Sequence, residues 1–449
     1  MSTIFYDASP GKYFDDANVP KKIVFDPNAG VTDTLCFKYY NANEEILGRP
    51  MREWLRFSVV YWHTFRGVGL DPFGAATIQR PWDDGSDSLQ NAQRRLRVAF
   101  EFFRRLGNDY YTFHDRDIAP EGNTLEETNK NLELLTDLAL ELQKETGVKL
   151  LWATCNLFSH PRYMNGAGTN PDVHVLAFAG AQIKKCLEMA KKLGAENFIF
   201  WGGREGYHSL LNTDLAAELR HMATLLRMAV AYKKKIAFAG QFCLEPKPKE
   251  PTKHQYDFDA MTVIGFLKSY ALDKEFKLNI EPNHTMLAGH DYLHDVCMAS
   301  AMGMLGSIDA NAGSADLGWD TDQFPMDVKQ CTWLMKVIIE QGGLSPGGLN
   351  FDCKVRREST DVRDMFIGHI GAMDSLARGL RIAEKIHNDN VLTRLLKKRY
   401  ISYSSGFGAS VDNGEATLED CEAYIVSNGN PKLKSGQQEH FENILNRYM

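Results

Sequence analysis

Long apolar runs are absent from this chain. No stretch approaches the ~20 consecutive apolar residues that a bilayer-crossing helix requires, so no membrane span is expected. Basic stripes broken by aromatics are also absent. With 51 basic residues against 58 acidic ones and a formal net charge of -7, the chain has little to attract phosphate, and nucleic acid is not expected as a partner. The eight cysteines (Cys36, Cys155, Cys186, Cys243, Cys297, Cys331, Cys353 and Cys421) include no C-x-x-C pair, and most sit in apolar runs. Buried free thiols of a reducing compartment follow from that pattern. The first residues, MSTIFYDASPGKYF, carry early acids and no apolar core, unlike a secretory or transit segment. A cytoplasmic location is the expectation.

What the chain does have is material for a large core, 449 residues of which 44% are hydrophobic. One barrel of ~250 residues with insertions and a tail accounts for that length. Residues 1–50 are polar and aromatic without a clear period and read as an extension packed on the main body. Eight segments of one design then recur: 56–65, 110–115, 149–158, 197–206, 236–248, 277–284, 305–311 and 347–354. Each begins as a buried strand and ends in polar, Gly or Pro residues. Helical spacing fills the gaps, for example in a segment that opens at Thr124 and closes on Gly147. Alternation of this kind predicts an α/β protein, a closed (β/α)8 TIM barrel over 51–385. Residues 386–449 offer little core of their own and are expected to form a helical and loop tail that packs on the barrel or on a second subunit.

The chemistry gathers where strands end. Glu245, Glu281, His284, Asp309, Asp320, Asp322 and Asp352 lie at or just past the ends of apolar runs in the second half of the chain. At a barrel mouth six such carboxylates would face one cleft, and like charges within ~4–6 Å cannot all ionise without cations. Two divalent ions are therefore expected, and the mixed oxygen and nitrogen donors suit Mg, Mn or Co. In Glu245-Pro246-Lys247-Pro248 two stiff prolines direct an acid and a lysine. His114-Asp115-Arg116-Asp117 pairs a histidine with nearby carboxylates, an acid–base arrangement. Trp62, Phe158 and Trp201 sit where they would wall the cleft. His290 and His294 have the spacing of a helical zinc pair but lack the glutamate of H-E-x-x-H, and are assigned to structure.

Taken together, FHDRDIAPEG (113–122), ATCNLFSHPRYMNGAGTNP (153–171), FWGGREGYHSLLNTD (200–214), EPKPKEPTKHQYDFD (245–259), LNIEPNHTMLAGH (278–290), GSIDAN (306–311), GWDTDQFP (318–325) and GGLNFDCKVRREST (347–360) resemble the xylose isomerase family in its longer, class II form with an N-terminal extension. The resemblance runs from about residue 40 to the end. It implies one metal on Glu245, Glu281, Asp309 and Asp352, and a second on Glu281, His284, Asp320 and Asp322. It further implies ring opening by His114 oriented by Asp117, a substrate hydrogen bond from Lys247, and a sugar cleft lined by Trp62, Thr154, Phe158 and Trp201. Phe73, in D-P-F-G, would reach a neighbouring subunit's site, and a homotetramer built as a dimer of dimers would follow. The implied reaction is isomerisation of D-xylose, and more weakly D-glucose, to the 2-ketose by a metal-assisted hydride shift without an organic cofactor.

Asn311-Ala312-Gly313-Ser314, Pro282, His208 and Arg66 depart from the family's usual residues, but none is a proposed ligand. Two rival classes were weighed. A metal-dependent phosphodiesterase on the same barrel would display basic residues and more histidine ligands, which this chain lacks. A sugar- or metal-binding protein without activity would have no need of His114, Asp117 and Lys247 together.

Overall fold

The computed structural model describes residues 12–449. Eight parallel strands close into a barrel: β1 Phe57–Val60, β2 Tyr110–His114, β3 Lys149–Thr154, β4 Asn197–Trp201, β5 Gln241–Glu245, β6 Phe276–Ile280, β7 Leu305–Asp309 and β8 Leu349–Phe351. Each strand bonds to the next in sequence, and β8 pairs with β1 through Phe351 opposite Val59. Seven fall inside the segments expected from the sequence, and β6 begins one residue earlier than expected, at Phe276. The chain is a (β/α)8 TIM barrel.

Helices return the chain from each strand to the next: α1 Leu89–Leu106, α2 Leu125–Thr146, α3 Val173–Leu193, α4 Leu215–Lys235, α5 Ala260–Ser269, α6 His294–Ala301, α7 Val328–Gln341 and α8 Val362–Asp389. Their ends are set by local chemistry. Thr124 caps α2 by accepting the Glu127 N–H at 3.1 Å, and Gly147, at φ 77°, ends it in the left-handed conformation that glycine adopts without strain. No helix among the described residues is long and apolar enough to cross a membrane.

One continuous apolar core joins strands and helices, and Phe14, Val19, Ile23, Phe37, Tyr40 and Ile46 of the N-terminal segment belong to it. That segment is also anchored by polar contacts. Asp374 of α8 accepts the backbone N–H groups of Lys38, Tyr39 and Tyr40 at 2.8–2.9 Å. Residues 1–11 of the expected extension lie outside the described residues.

Helix α8 continues through residue 385, the boundary expected from sequence, and stops at Asp389, where Asn390 turns left-handed at φ 53°. Beyond it come short helices, Val391–Arg399, Gly406–Asp412, Leu418–Asn428 and Gln438–Asn446. Leu445 packs back onto Ile382 and Ile386. Leu396, Tyr400, Ile401, Leu418 and Val426 stand exposed. All eight cysteines are free; Cys155, Cys186, Cys243, Cys331 and Cys353 are buried, whereas Cys421 is exposed.

Candidate metal centre

In a strand, residues two apart share a face, and a barrel turns one face of each strand inward. That parity assembles the site. Glu245 ends β5 and Asp309 ends β7, while Glu281 and Asp352 follow directly on β6 and β8. Two residues before Glu281 stands Asn279, and two before Asp352 stands Asn350, so both amides look into the same lumen. Asn279 Nδ2 donates to Glu245 Oε2 at 2.9 Å and to Asp309 Oδ2 at 2.8 Å. Asn350 Nδ2 donates to Asp309 Oδ1 at 2.7 Å, and Thr112 Oγ1 donates to Asn350 Oδ1 at 2.9 Å.

Three groups of ligand atoms lie within 4.8 Å of one another: Glu245 with Glu281 and His284, Glu281 with Asp309 and Asp352, and Glu281 with Asp320 and Asp322. Glu281 is common to all three. His284 is oriented for coordination: Nδ1 is 3.0 Å from the Pro246 carbonyl oxygen, an acceptor only, so Nδ1 carries the proton. Its Nε2 lone pair then faces Glu281 Oε1 at 3.2 Å and Asp320 Oδ2 at 3.1 Å. A lone pair against two carboxylates is repulsive without a cation between them.

The acids' proton affinities express the same conflict. Burial, with Asp309 and Asp352 nearby, pushes the Glu245 carboxyl well above the ordinary range. Burial does the same to Glu281, reinforced by Asp320, Asp352 and Asp322, and to Asp352, reinforced by Asp322, Asp309 and Asp320. Asp309 is pushed up to about 6 by burial, against the opposing amides of Asn350 and Asn279. Asp320 goes the other way: burial would raise it, but the Lys247 ammonium beside it holds it well below its usual value. Buried oxygens with one imidazole nitrogen are a donor set that fits two hard divalent ions.

Above the acids opens a cavity of about 1000 Å³, lined by Trp62, His114, Thr154, Phe158, Trp201 and Lys247 among others. Phe158 meets Trp201 edge-on at 4.5 Å and His114 at 5.5 Å, and Trp62 meets His114 at 4.4 Å. His114 ends β2, and its Nδ1 lies 2.8 Å from Asp117 Oδ2. Donation to that carboxylate leaves Nε2 as the acceptor nitrogen. Lys247 is buried under the Trp201 ring at 5.3 Å and donates to Asp320 Oδ2 at 2.7 Å. Burial would lower its ammonium, but Asp320 and Glu250 hold it above the ordinary lysine value. The Thr154 hydroxyl donates to the Ile199 carbonyl at 2.7 Å. Phe73 lies apart from these, 75% exposed at the rim, with its ring 5.2 Å from Trp319.

Several contributors were not singled out from sequence. His63 Nε2 lies 3.2 Å from both Asp322 Oδ2 and Asp352 Oδ1, and Lys354 Nζ lies 2.9 Å from Asp322 Oδ2. Trp62, expected only as a wall, also donates from Nε1 to Asp352 Oδ1 at 3.0 Å. Asn311 Nδ2 holds Glu281 Oε1 at 2.7 Å. The signal for the strand amides was present, a polar residue two places before each acid inside an apolar run. His63 left no such trace.

The departures from the family pattern are accommodated. Pro282 is the first residue of the helix Pro282–Leu287, where a missing N–H costs nothing. Ala312 exchanges backbone bonds with Gln323, and the Ser314 hydroxyl accepts from Gln323 Nε2 at 3.0 Å. Gly313 is required, since a Cβ there would sit 1.6 Å from Asn283 Oδ1. Arg66 donates to the Arg116 carbonyl at 2.9 Å and forms part of the cavity wall, and His208 is exposed.

A carboxyl with a raised folded-state pKa binds its proton more tightly when folded than when unfolded. Its stabilising contribution is present below the unfolded value near 4 and is lost as pH rises through the folded value. In excess chelator, unfolding free energy should therefore fall as pH climbs from 4 to 6, by about 2 kcal/mol from Asp309 alone. Glu245, Glu281 and Asp352 extend the loss to higher pH. Urea melts with chelator and with Mn²⁺ would measure it, and a metal-free protein whose stability stays level through this window would contradict the reading.

Comparison with known proteins agrees with this architecture. Residues 396–449 match a family model described as the XylA2 C-terminal domain. Xylose isomerase from Arabidopsis thaliana is 54% identical over 415 residues, covering 92% of this chain and 87% of that protein. Xylose isomerase from Caldicellulosiruptor bescii is 53% identical over 438 residues, covering 98% of this chain and 99% of that one. A solved protein from Rhodospirillum rubrum aligns with a TM-score of 0.50 at 12% identity, over 72% of this chain and 98% of its own, and shares the fold alone. Identity above one half, running nearly end to end and through every strand that carries a site acid, leaves one conclusion: this chain belongs to the xylose isomerase family.

Proposed function

We propose that this chain is an aldose–ketose isomerase that interconverts D-xylose and D-xylulose, and D-glucose and D-fructose more weakly, with two divalent ions per subunit and no organic cofactor. One observation carries the reading. Three ligand clusters share Glu281, and their members Glu245, His284, Asp320, Asp322 and Asp352 line a cavity whose walls hold an oriented histidine, a buried lysine and three aromatic faces.

Glu245, Glu281, Asp309 and Asp352 would hold one ion and Glu281, His284, Asp320 and Asp322 the other, with Mg the first candidate and Mn or Co the alternatives. When bound, the ions supply Lewis acidity toward the sugar oxygens. The residues account for the rest. His114, its Nδ1 occupied by Asp117, presents Nε2 to accept a hydroxyl proton from the cyclic sugar and return it to the ring oxygen, which opens the ring. Lys247 keeps its proton inside the cavity and places a fixed positive charge where the carbonyl oxygen develops negative charge. Trp62, Phe158 and Trp201 exclude water from the carbon chain, so hydrogen passes from carbon 2 to carbon 1 without solvent exchange. Thr154 completes the lining.

The assembly belongs to the same reading. A homotetramer, a dimer of dimers, would cover the apolar side chains of the tail at 386–449 and bring each exposed Phe73 to a neighbour's cavity, with 1–50 as an extension of the 51–385 barrel. The eight free cysteines support a reducing, cytoplasmic setting.

D-Xylose deuterated at carbon 2 tests the reaction directly. The ketose should form and carry the label at carbon 1, whereas complete washout into solvent would sink the hydride shift and no ketose would sink the assignment. Lys247→Ser should lower kcat by ~10²–10³, the cost of losing one preorganised charge-stabilising donor. Turnover equal to that of the unaltered enzyme would remove Lys247 from the mechanism.

A further inference from the structure

We infer that Gln182, on α3 behind the cavity wall, is a positioning residue for ring opening: through Asp115 it sets where His114 stands relative to Phe158. The inference rests on the reading of His114 as the group that opens the sugar ring. His114 sits on a turn that behaves as one body. It directly precedes the short helix Asp115–Ile118, and Asp117 Oδ2 on that helix accepts the His114 backbone N–H at 2.9 Å as well as the ring nitrogen at 2.8 Å. The imidazole is therefore placed only as well as the turn is.

Asp115 holds the turn. Its side chain is fully buried, and Oδ1 accepts the N–H of Arg116 at 2.9 Å and that of Asn156 at 2.9 Å. Asn156 lies in the loop after β3 that carries Phe158, so one carboxylate joins the ring-opening turn to the aromatic wall. Arg116 Nη1, 3.4 Å from Asp115 Oδ2, supplies the balancing charge. Gln182 completes the network. Its Nε2 donates to Asp115 Oδ2 at 2.8 Å and to the Asn156 carbonyl at 3.1 Å. Both partners only accept, so the amide oxygen faces Tyr163, whose hydroxyl donates to it at 2.8 Å. Tyr163 ends the short helix Pro161–Tyr163 farther along the same loop.

Packing alone does not call for these groups. The buried neighbours of Gln182 on α3 include Ala179, Ile183, Cys186 and Leu187, and an apolar side chain there would avoid the cost of burying an amide beside a carboxylate. What the network adds is direction, since a fully satisfied set of buried hydrogen bonds holds the turn, the loop and α3 in one arrangement. Its readout in the cavity is the 5.5 Å edge contact between the His114 and Phe158 rings.

Kinetics of the full chain loaded with Mn²⁺, on D-xylose and on D-xylose deuterated at carbon 2, test the role. Gln182→Met keeps the length of the side chain and loses its hydrogen bonds; Tyr163→Phe removes only the hydroxyl that orients the amide. In Gln182→Met, kcat/KM should fall about 10–10²-fold, the cost of a misplaced reacting group, with Mn²⁺ content unchanged. Ring opening then limits the rate, so the primary deuterium isotope effect on kcat/KM should shrink toward one. Tyr163→Phe should move both quantities the same way by less, and it decides the matter alone if Gln182→Met does not fold. Unchanged kcat/KM in the folded variants, or a lower value with an isotope effect equal to or larger than that of the unaltered enzyme, would overturn the inference. Absence of ketose from the unaltered enzyme would instead overturn the reading beneath it.

Discussion

Mutual repulsion among six carboxylates, four of them buried and two, Asp320 and Asp352, half-buried, is the constraint on which the rest of this structure depends. Glu245, Glu281, Asp309 and Asp352 all hold their protons more tightly than free acids, and burial is the leading cause in each. A protein that needed only stability would not keep them together, because apolar residues of the same volume pack at no such cost. Divalent ions turn that cost into binding. The closed barrel supplies the stiffness, since Glu245, Glu281, Asp309 and Asp352 each end or directly follow a strand paired on both sides.

Around the acids the chain has placed groups that fix direction rather than add charge. Asn279, Asn311 and Asn350 tie down one oxygen each of Glu245 and Glu281 and both oxygens of Asp309, and Pro246 fixes the tautomer of His284. Such outer contacts orient ligands and tune their basicity. Lys247 is a buried cation that donates to Asp320, and that pairing holds Asp320 acidic against the pull of burial. His63 reaches Asp322 and Asp352, and Lys354 reaches Asp322.

Much of this was legible in the residues. Strands buried on both faces read as short apolar runs, and an acid at the end of such a run has few explanations besides a barrel mouth. Helix limits at Thr124 and Gly147 were legible for a similar reason, because capping is local chemistry. The contacts of His63 were not, since they join residues about 260 and 290 positions apart and leave no periodic trace. The end of α8 at Asp389 rather than 385 reflects the left-handed turn available to Asn390, a C-terminal signal weaker than glycine.

The most direct measurement is anomalous diffraction from crystals grown with Mn²⁺. Two peaks should appear in the central cavity, with Glu281 touching both, one beside Asp309 and Asp352 and the other beside His284, Asp320 and Asp322. An empty cavity at saturating Mn²⁺, or a single ion with Glu281 turned away, would contradict the account.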